Sequence, residues 1–434
     1  MSIPSTNRSV LQRIGPGLIT ACVVIGPGSI LTSSTVGANS GYAMLWVVLV
    51  SVFFMLIYMT LGAKLGVVAS AAPGDLIRAK VGNWLAMLVG VCVFFISAAF
   101  QSGNNLGVAS AFEPFVNTKP MIAACVVGFN VIAIAFLFAF RNLYQKLERL
   151  MMVFVALMLI SFAVNLFRLK PNPNDLLSGF LPTAGTIDIA LLGLIGTTFV
   201  VTAAYYQAYL VRQKGWGQDE LKSGLIDARI GSLIMALITI MLMSTAAAGL
   251  YTGSAVKLSD PVAVAVALEP TFGTSGKIIF CFGLFSAAYS SFLVNSMIGG
   301  FIAADGFGLA TKQNDIWQRV FTTVVLLTGM SIALAALLFD FDRTPTIIAA
   351  QAVTVVGAPL VAGVLFWLTC RRDIMGEHVN GPFLKSMGAL GLLLLIAMAA
   401  NTAFVKLPAK IGDYRNKQNS MRLSDEVEQQ IAIR

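Results

Sequence analysis

The chain has 434 residues, of which 57% are hydrophobic and only 11% are charged. A soluble protein with that balance would lack the polar surface that keeps it dissolved, so the composition excludes a soluble domain and predicts an integral membrane protein. The net charge of +9 comes from residues between apolar runs, which argues against a nucleic-acid-binding protein.

Apolar runs long enough to cross a bilayer follow one another along nearly the whole chain. A crossing needs about 20 mostly apolar residues. We find eleven such runs, at 14–39, 44–68, 84–110, 121–140, 150–168, 187–211, 230–251, 277–304, 320–339, 346–370 and 384–404. We therefore predict an all-α, polytopic protein with about 11 transmembrane helices. Most of the 29 Lys and Arg residues face one side if the N-terminus is cytoplasmic, which predicts that orientation in a bacterial inner membrane.

The first run contains a strong helix-breaking sequence in its middle, VIGPGSILTSS at 24–34. Gly26, Pro27 and Gly28 remove more helix than a simple kink requires, and backbone groups exposed inside a bilayer must be satisfied by protein, water or a ligand. A half-helix that begins at Ser29 would point its free N–H groups into the bundle. We therefore predict a binding site at this break. The alternative is a proline kink in which the following hydroxyl groups bond back to the helix.

The sixth run, LLGLIGTTFVVTAAYYQAYLV at 191–211, has a middle rich in glycine and threonine. Broken helices at matching places in two repeats form the midplane site of many secondary transporters. This run matches the first one if ten crossings form two five-helix repeats, although no proline enforces a break here.

Cysteine and histidine usage argues against a side-chain metal site. The five cysteines are scattered singly through apolar runs, which is typical of packing residues, and the single histidine, His378, lies in a charged loop. We predict no side-chain metal site and no cofactor. We also predict no enzymatic activity, because no nucleophile–base pair or carboxylate dyad can be assembled at membrane depth.

Four stretches carry a resemblance to a known family. RIGPGLITACVVIGPGS, LWVVLVSVFFMLIYMTLGAKLGVV, FGLFSAAYSSFLVNSMIGGFIAADGF and IIAAQAVTVVGAPLVAGVLFWL resemble the first, second, eighth and tenth helices of the Nramp family of divalent-metal transporters. The segment DPVAVAVALEPTFG also falls where that family has a short external helix. The resemblance implies a leucine-transporter-like fold with two inverted five-helix repeats. Its implied divisions are a cytoplasmic N-terminus at 1–13, a first repeat at 14–168, a second repeat at 187–370, an eleventh helix at 384–404 and a polar tail at 405–434.

The side chains that characterise the family are replaced by neutral groups. Its D-P-G-N motif corresponds to Gly26-Pro27-Gly28-Ser29, and its M-P-H motif to Val200-Val201-Thr202. A second histidine of the family corresponds to Gln207, and two acidic residues of its proton route correspond to Gln101 and Asn104. Only Gln351 survives among the polar groups that commonly line the family's metal path.

These replacements lead us to expect a secondary transporter of a small organic solute, carboxylate-like or amino-acid-like, that works by alternating access without the family's proton relay. A transition metal would find only carbonyl, hydroxyl and amide ligands, whereas a helix N-terminus without an opposing carboxylate favours an anionic substrate. The predicted substrate site comprises Gly26, Gly28, Ser29, Thr32, Thr197, Thr198, Val200, Thr202 and Gln351. Gln101, Asn104, Tyr205 and Gln207 are predicted to line the pathway.

Two alternatives stay open. One is a weakly selective pathway for Mg²⁺ or Mn²⁺, since a hydrated Mg²⁺ can be held by neutral oxygens. The other is a membrane sensor that does not transport. A sodium ion is a further hypothesis, with the carbonyls of Cys22 and Ile25 and the hydroxyls of Ser290 and Ser291 as its ligands. The expected partners are a small-molecule substrate and the lipid bilayer, with no nucleic acid, and the oligomeric state is open.

Overall fold

The computed structural model describes residues 15–116, 118–140, 142–183, 189–256, 258, 261–309, 315–339, 343–406 and 408. In chain order its helices are α1 (Pro16–Val24), α2 (Pro27–Ser40), α3 (Leu45–Val68), α4 (Pro73–Lys80), α5 (Asn83–Phe112), α6 (Lys119–Ala139), α7 (Leu143–Leu169), α8 (Pro173–Ser178), α9 (Ile189–Thr198), α10 (Val201–Gln213), α11 (Leu221–Leu250), α12 (Pro261–Gly306), α13 (Ile316–Leu338), α14 (Arg343–Cys370), α15 (Arg372–Met375) and α16 (Pro382–Asn401).

The prediction of an all-α, polytopic membrane protein is confirmed. Within the described ranges, nine helical segments and one bent pair are long and apolar enough to cross a bilayer, and α14 adds a shorter apolar segment, Gly357–Cys370. We call α1 with α2 the first crossing and α9 with α10 the sixth crossing. The end of the bundle where α1 begins is the Gly15 side, and the end where α2 finishes is the Ser40 side.

The first crossing is broken where the sequence predicts. Its two halves, α1 and α2, meet at an angle of 60°. Gly26 is extended, with φ −112° and ψ −176°, and Pro27 opens α2. Proline is favoured at the first position of a helix because it has no N–H group to leave unsatisfied there. The break therefore follows directly from the local sequence.

The sixth crossing is also broken, although no proline lies in it. The helix α9 ends at Thr198, and Val200 precedes α10 with a non-helical φ of −88° and ψ of 89°. The ring of Phe199 lies 5.2 Å from that of Tyr58 and 6.0 Å from that of Phe54, both on α3. These aromatic contacts hold the turn between the half-helices against a neighbouring crossing, so packing stabilises a break that proline does not impose.

The short helix that the family resemblance places outside the membrane corresponds to the first part of α12. Residues from Pro261 are helical, and Gly273, with a φ of 68°, separates them from the long apolar segment Gly273–Gly306. A positive φ is readily adopted only by glycine. The segment after this kink packs against α1, α5 and α7 and brings its serines to the break in the first crossing.

Candidate functional site

The break in the first crossing leaves carbonyl groups that hydroxyl side chains satisfy. Pro27 has no N–H group, so it cannot bond to the Val23 carbonyl four residues earlier. The Ser291 hydroxyl donates to that carbonyl instead, at 3.1 Å, and the Ser29 hydroxyl donates to the Val24 carbonyl at 2.5 Å. Because hydroxyl groups can rotate, these carbonyl oxygens can exchange such a partner for a ligand.

The break in the sixth crossing faces the break in the first. Ser29 Oγ lies 3.2 Å from the Thr197 carbonyl oxygen at the C-terminal end of α9. The hydroxyl oxygens of Thr32 and Thr197 are 3.1 Å apart, and a Cβ atom built on Gly28 would lie 3.7 Å from Thr197 Cγ2. The structure thus brings Gly28, Ser29, Thr32 and Thr197 together. Their shared feature is a set of neutral oxygens from two helix ends.

Gly26 lies beside polar groups of two further helices. A Cβ atom built on it would lie 2.8 Å from Ser291 Oγ on α12 and 3.4 Å from Asn104 Oδ1 on α5. Gln101, one turn before Asn104, contacts the other side of that amide, with 3.3 Å between Asn104 Nδ2 and Gln101 Oε1. Of the two predicted pathway residues on α5, Asn104 therefore faces the break and Gln101 lies behind it.

Other predicted residues of the sixth crossing have different surroundings. Val200 and Thr202 line a cavity of about 30 Å³ together with Thr354 of α14 and Met398 of α16. A cavity of that size can hold a water molecule. The Thr198 hydroxyl is buried and has no hydrogen-bond partner among the described residues. These positions stay predictions as substrate ligands.

The structure brings only some of the four residues predicted as sodium ligands close to one another. Ser291 reaches the first crossing at the Val23 carbonyl, between Cys22 and Ile25. Ser290 donates to a carbonyl of its own helix at 3.2 Å and lies beside the Cys22 side chain. A sodium site there stays a prediction.

A buried carboxylate holds the Gly15 side of the bundle together. Asp227 on α11 accepts hydrogen bonds from the backbone N–H groups of Gly15, at 2.7 Å, and Gly17, at 2.6 Å. Gln207 Nε2 on α10 lies 3.3 Å from the same carboxylate, and Thr20 Oγ1 donates to Gln207 Oε1 at 2.5 Å. We call these five residues the Asp227 latch. Gln207, predicted to line the pathway, thus ties α10 to both α1 and α11.

A second buried acid makes a similar connection on the Gly15 side. Asp305 Oδ2 accepts from the Tyr209 hydroxyl at 2.5 Å and from the Gly74 N–H at 2.8 Å. Tyr205, another predicted pathway residue, is buried with its ring 6.0 Å from that of Tyr209. Asp227 is not among the residues predicted from the sequence, because it lies just before the apolar run 230–251. The structure extends that crossing to include it, and an ionisable residue in a crossing needs a specific partner.

The two sides of the break differ in accessibility. Every residue of α1 is buried, whereas Gly28 is exposed and Thr32 and Thr197 are half-buried. Among the described residues, access to the break is therefore closed from the Gly15 side and more open from the Ser40 side. The side chain of Gln351, predicted to line the same path, lies outside the described residues. Among the described residues, no group of three or more His, Cys, Asp or Glu side chains could hold a metal ion.

Comparison with known proteins identifies the family and the fold. The family model described as "Natural resistance-associated macrophage protein-like" matches residues 17–405. A divalent metal cation transporter MntH from Pectobacterium carotovorum subsp. carotovorum is 25% identical over 404 residues, which cover 92% of this chain and 95% of that protein.

Solved structures agree on the fold. The Eremococcus coleocola manganese transporter, in complex with an aromatic bis-isothiourea substituted compound, has a TM-score of 0.79 at 18% identity and covers 98% of this chain and 93% of its own. MhsT in complex with L-phenylalanine has a TM-score of 0.57 at 15% identity, over 88% of this chain and 98% of its own. The leucine-transporter-like arrangement implied by the family resemblance is confirmed.

The prediction of a small organic solute is contradicted by these comparisons, because the matching relatives are named as divalent metal cation transporters. The prediction gave too much weight to the missing carboxylate at Gly26. The opposed breaks still present carbonyl and hydroxyl oxygens, and these are also ligands for hard cations. Since the family model spans most of the 434 residues, the chain belongs to the natural resistance-associated macrophage protein-like (Nramp) family.

Proposed function

We propose that the chain transports a hydrated divalent metal cation, Mg²⁺ or Mn²⁺, across a membrane by alternating access and with weak selectivity. The names of its relatives support a divalent cation as the substrate class. The chemistry of the two breaks supports the finer statement about hydration and selectivity.

The observation that carries the proposal is the meeting of two helix C-termini at one hydroxyl group. Ser29 Oγ lies 2.5 Å from the carbonyl oxygen of Val24, the last residue of α1, and 3.2 Å from that of Thr197, near the end of α9. The C-terminal end of a helix carries partial negative charge on its unsatisfied carbonyl groups. Two such ends converging inside a bilayer favour a cation between them.

The ligands also indicate which cation. Carbonyl and hydroxyl oxygens are hard, neutral ligands, and Val200 supplies no sulfur donor. Mg²⁺ keeps several of its water molecules and needs few protein ligands, and Mn²⁺ accepts carbonyl oxygens and water. Without a carboxylate, the site discriminates little between such ions and binds them weakly enough to release them.

The accessibility of the two sides indicates which state of the transport cycle the structure represents. With the Gly15 side as the cytoplasmic side, as the distribution of Lys and Arg predicts, the described conformation takes the cation from outside. Opening of the Asp227 latch would then release α1 and expose the site to the cytoplasm. We infer a bacterial inner membrane as the location, because the relatives that match are bacterial transporters.

The test is uptake of Mn²⁺ and of Mg²⁺ into proteoliposomes that contain the full chain. We expect saturable uptake of both ions and mutual competition between them. Ser29→Ala removes a hydroxyl oxygen that lies at both helix ends and that we expect to be a ligand of the cation, so it should raise the KM for Mn²⁺ about tenfold, or about 1.4 kcal/mol.

The matched control for this variant is Ser51→Ala. Ser51 is also a buried serine, but its hydroxyl bonds to the Val47 carbonyl of its own helix at 2.8 Å, so its loss should leave the KM unchanged. Absence of uptake for both ions in the folded parent protein would reject the proposed function.

A further inference from the structure

The helix α5 comes unusually close to the unwound part of the first crossing. A Cβ atom built on Gly107 would lie 2.1 Å from Pro27 Cγ, so only glycine fits at this contact. Asn104 lies almost one helical turn earlier on the same helix. The close approach brings its side chain to the break, where Asn104 Oδ1 would lie 3.4 Å from a Cβ atom on Gly26.

A chain of hydrogen bonds fixes which end of the Asn104 amide faces the break. The Ser97 backbone carbonyl can only accept, so the group that contacts it at 2.9 Å is Asn295 Nδ2. That amide nitrogen also lies 3.4 Å from Gln101, which must therefore present its oxygen. Gln101 Oε1 in turn accepts from Asn104 Nδ2 at 3.3 Å. The nitrogen of Asn104 thus points away from the break, and its oxygen points towards Gly26.

We propose that Asn104 Oδ1 is an oxygen ligand of the transported divalent cation and takes over, from α5, the place of a side-chain ligand that Gly26 cannot supply. The proposal rests on the proposed function and adds to it a residue that sets affinity. Gln101 and Asn295 act as positioning residues, because they hold the amide in the required orientation.

The chemistry of an amide ligand accounts for a site that binds a cation weakly but sufficiently for transport. An amide oxygen is a hard donor that Mg²⁺ and Mn²⁺ accept, but it lacks the charge of a carboxylate. It is buried, with Asn104 only 2% exposed, so it is shielded from competing solvent. Replacing the amide by a carboxylate of nearly the same size should strengthen cation binding, and its second oxygen then takes the place of the amide donor to Gln101 Oε1.

The chain offers a closely matched control in the next residue. Asn105 is 1% exposed, and its Nδ2 also bonds to Gln101, at 2.8 Å from the backbone carbonyl. Its oxygen, however, faces α6, where Asn130 Nδ2 donates to it at 2.6 Å. Asn104→Asp and Asn105→Asp each remove one amide donor bonded to Gln101 and add one buried carboxyl group. Only Asn104→Asp places that carboxyl group at the break.

The experiment is calorimetric titration of Mn²⁺ into the purified full chain at pH 8 and at pH 6. We expect Asn104→Asp to lower the Kd for Mn²⁺ at pH 8 by about tenfold or more, the order of effect of adding a charged ligand. The gain should shrink at pH 6, because protonation of the new carboxyl group competes with the cation. Asn105→Asp should stay within about threefold of the parent at both pH values.

An unchanged Kd in folded Asn104→Asp, or an equal gain in Asn105→Asp, would overturn this proposal while leaving the proposed function intact. If either carboxylate variant fails to fold, the alanine pair decides. Asn104→Ala should then weaken Mn²⁺ binding about tenfold and Asn105→Ala should not, and equal effects would overturn the proposal. A parent protein that neither binds nor transports Mn²⁺ or Mg²⁺ would overturn the proposed function as well, so the two failures are distinguishable.

Discussion

At the scale of single residues, Gly26 decides the chemistry of the first break. Its extended backbone, with φ −112° and ψ −176°, is open to any residue, so glycine is not required there by conformation. The limit is space, because a Cβ atom would lie 2.8 Å from Ser291 Oγ. The Ser291 hydroxyl occupies the room that a larger side chain at position 26 would need.

We therefore expect Gly26→Asp to increase Mn²⁺ affinity only when this contact is relieved. The double variant Gly26→Asp with Ser291→Ala should bind Mn²⁺ about tenfold more tightly than Ser291→Ala alone, because a carboxylate adds charge at the neutral site. Calorimetry measures the difference. Gly26→Asn in the same background is the matched neutral control, and an equal gain from Asn and Asp would show that charge is not responsible.

At the scale of helices, the bundle holds the two halves of the first crossing differently. The N-terminal end of α1 carries partial positive charge and lies against the Asp227 carboxylate, which accepts from the backbone N–H groups of Gly15, just before the helix, and Gly17. The N-terminal end of α2 lies at the break itself, with Gly28 exposed. One half-helix is therefore fixed by a buried charge while the other borders the accessible side.

Asp227→Asn should loosen α1, since asparagine has one side-chain acceptor oxygen and no charge to offer the two N–H groups. A carboxylate at a partly buried helix N-terminus contributes up to about 2 kcal/mol, so amide hydrogen exchange in residues 15–24 should become about tenfold faster or more. Mass spectrometry of peptides that cover this segment measures the rate. Asp75→Asn is the control, because Asp75 is half-exposed and pairs with Arg78 at 2.5 Å; exchange in α1 that rises equally in both variants would contradict the latch.

At the scale of the whole molecule, the described residues close access to the break from the Gly15 side and leave it more open from the Ser40 side. The closure combines the Asp227 latch with the contact of Asp305, Tyr209 and Gly74. The latch joins α1 to α10 and α11, and the second contact joins α4, α10 and α12. Alternating access requires that these contacts open while the Ser40 side, where Gly28 is exposed, closes.

Sidedness can be measured with cysteines placed above and below the break, in a background without the five native cysteines. A membrane-impermeant thiol reagent added on the Ser40 side should modify Thr32→Cys, because Thr32 is half-buried, and Mn²⁺ should slow the reaction. Ala21→Cys should react far more slowly from either side, because Ala21 is 0% exposed and lies outside the Asp227 latch. Equal modification of the two positions in the resting protein would contradict the closed Gly15 side.

The sequence alone determined the class of the protein and the position of the first break. The eleven apolar runs and the Gly-Pro-Gly interruption are local properties, since hydrophobic length and a missing N–H group act on the chain wherever it folds. Tertiary structure decided how the oxygens of the two breaks meet, and it showed that Asn104 faces Gly26 while Gln207 belongs to the latch. These facts depend on distances between helices far apart in the chain, such as the approach of Gly107 to Pro27, and no local pattern encodes such distances.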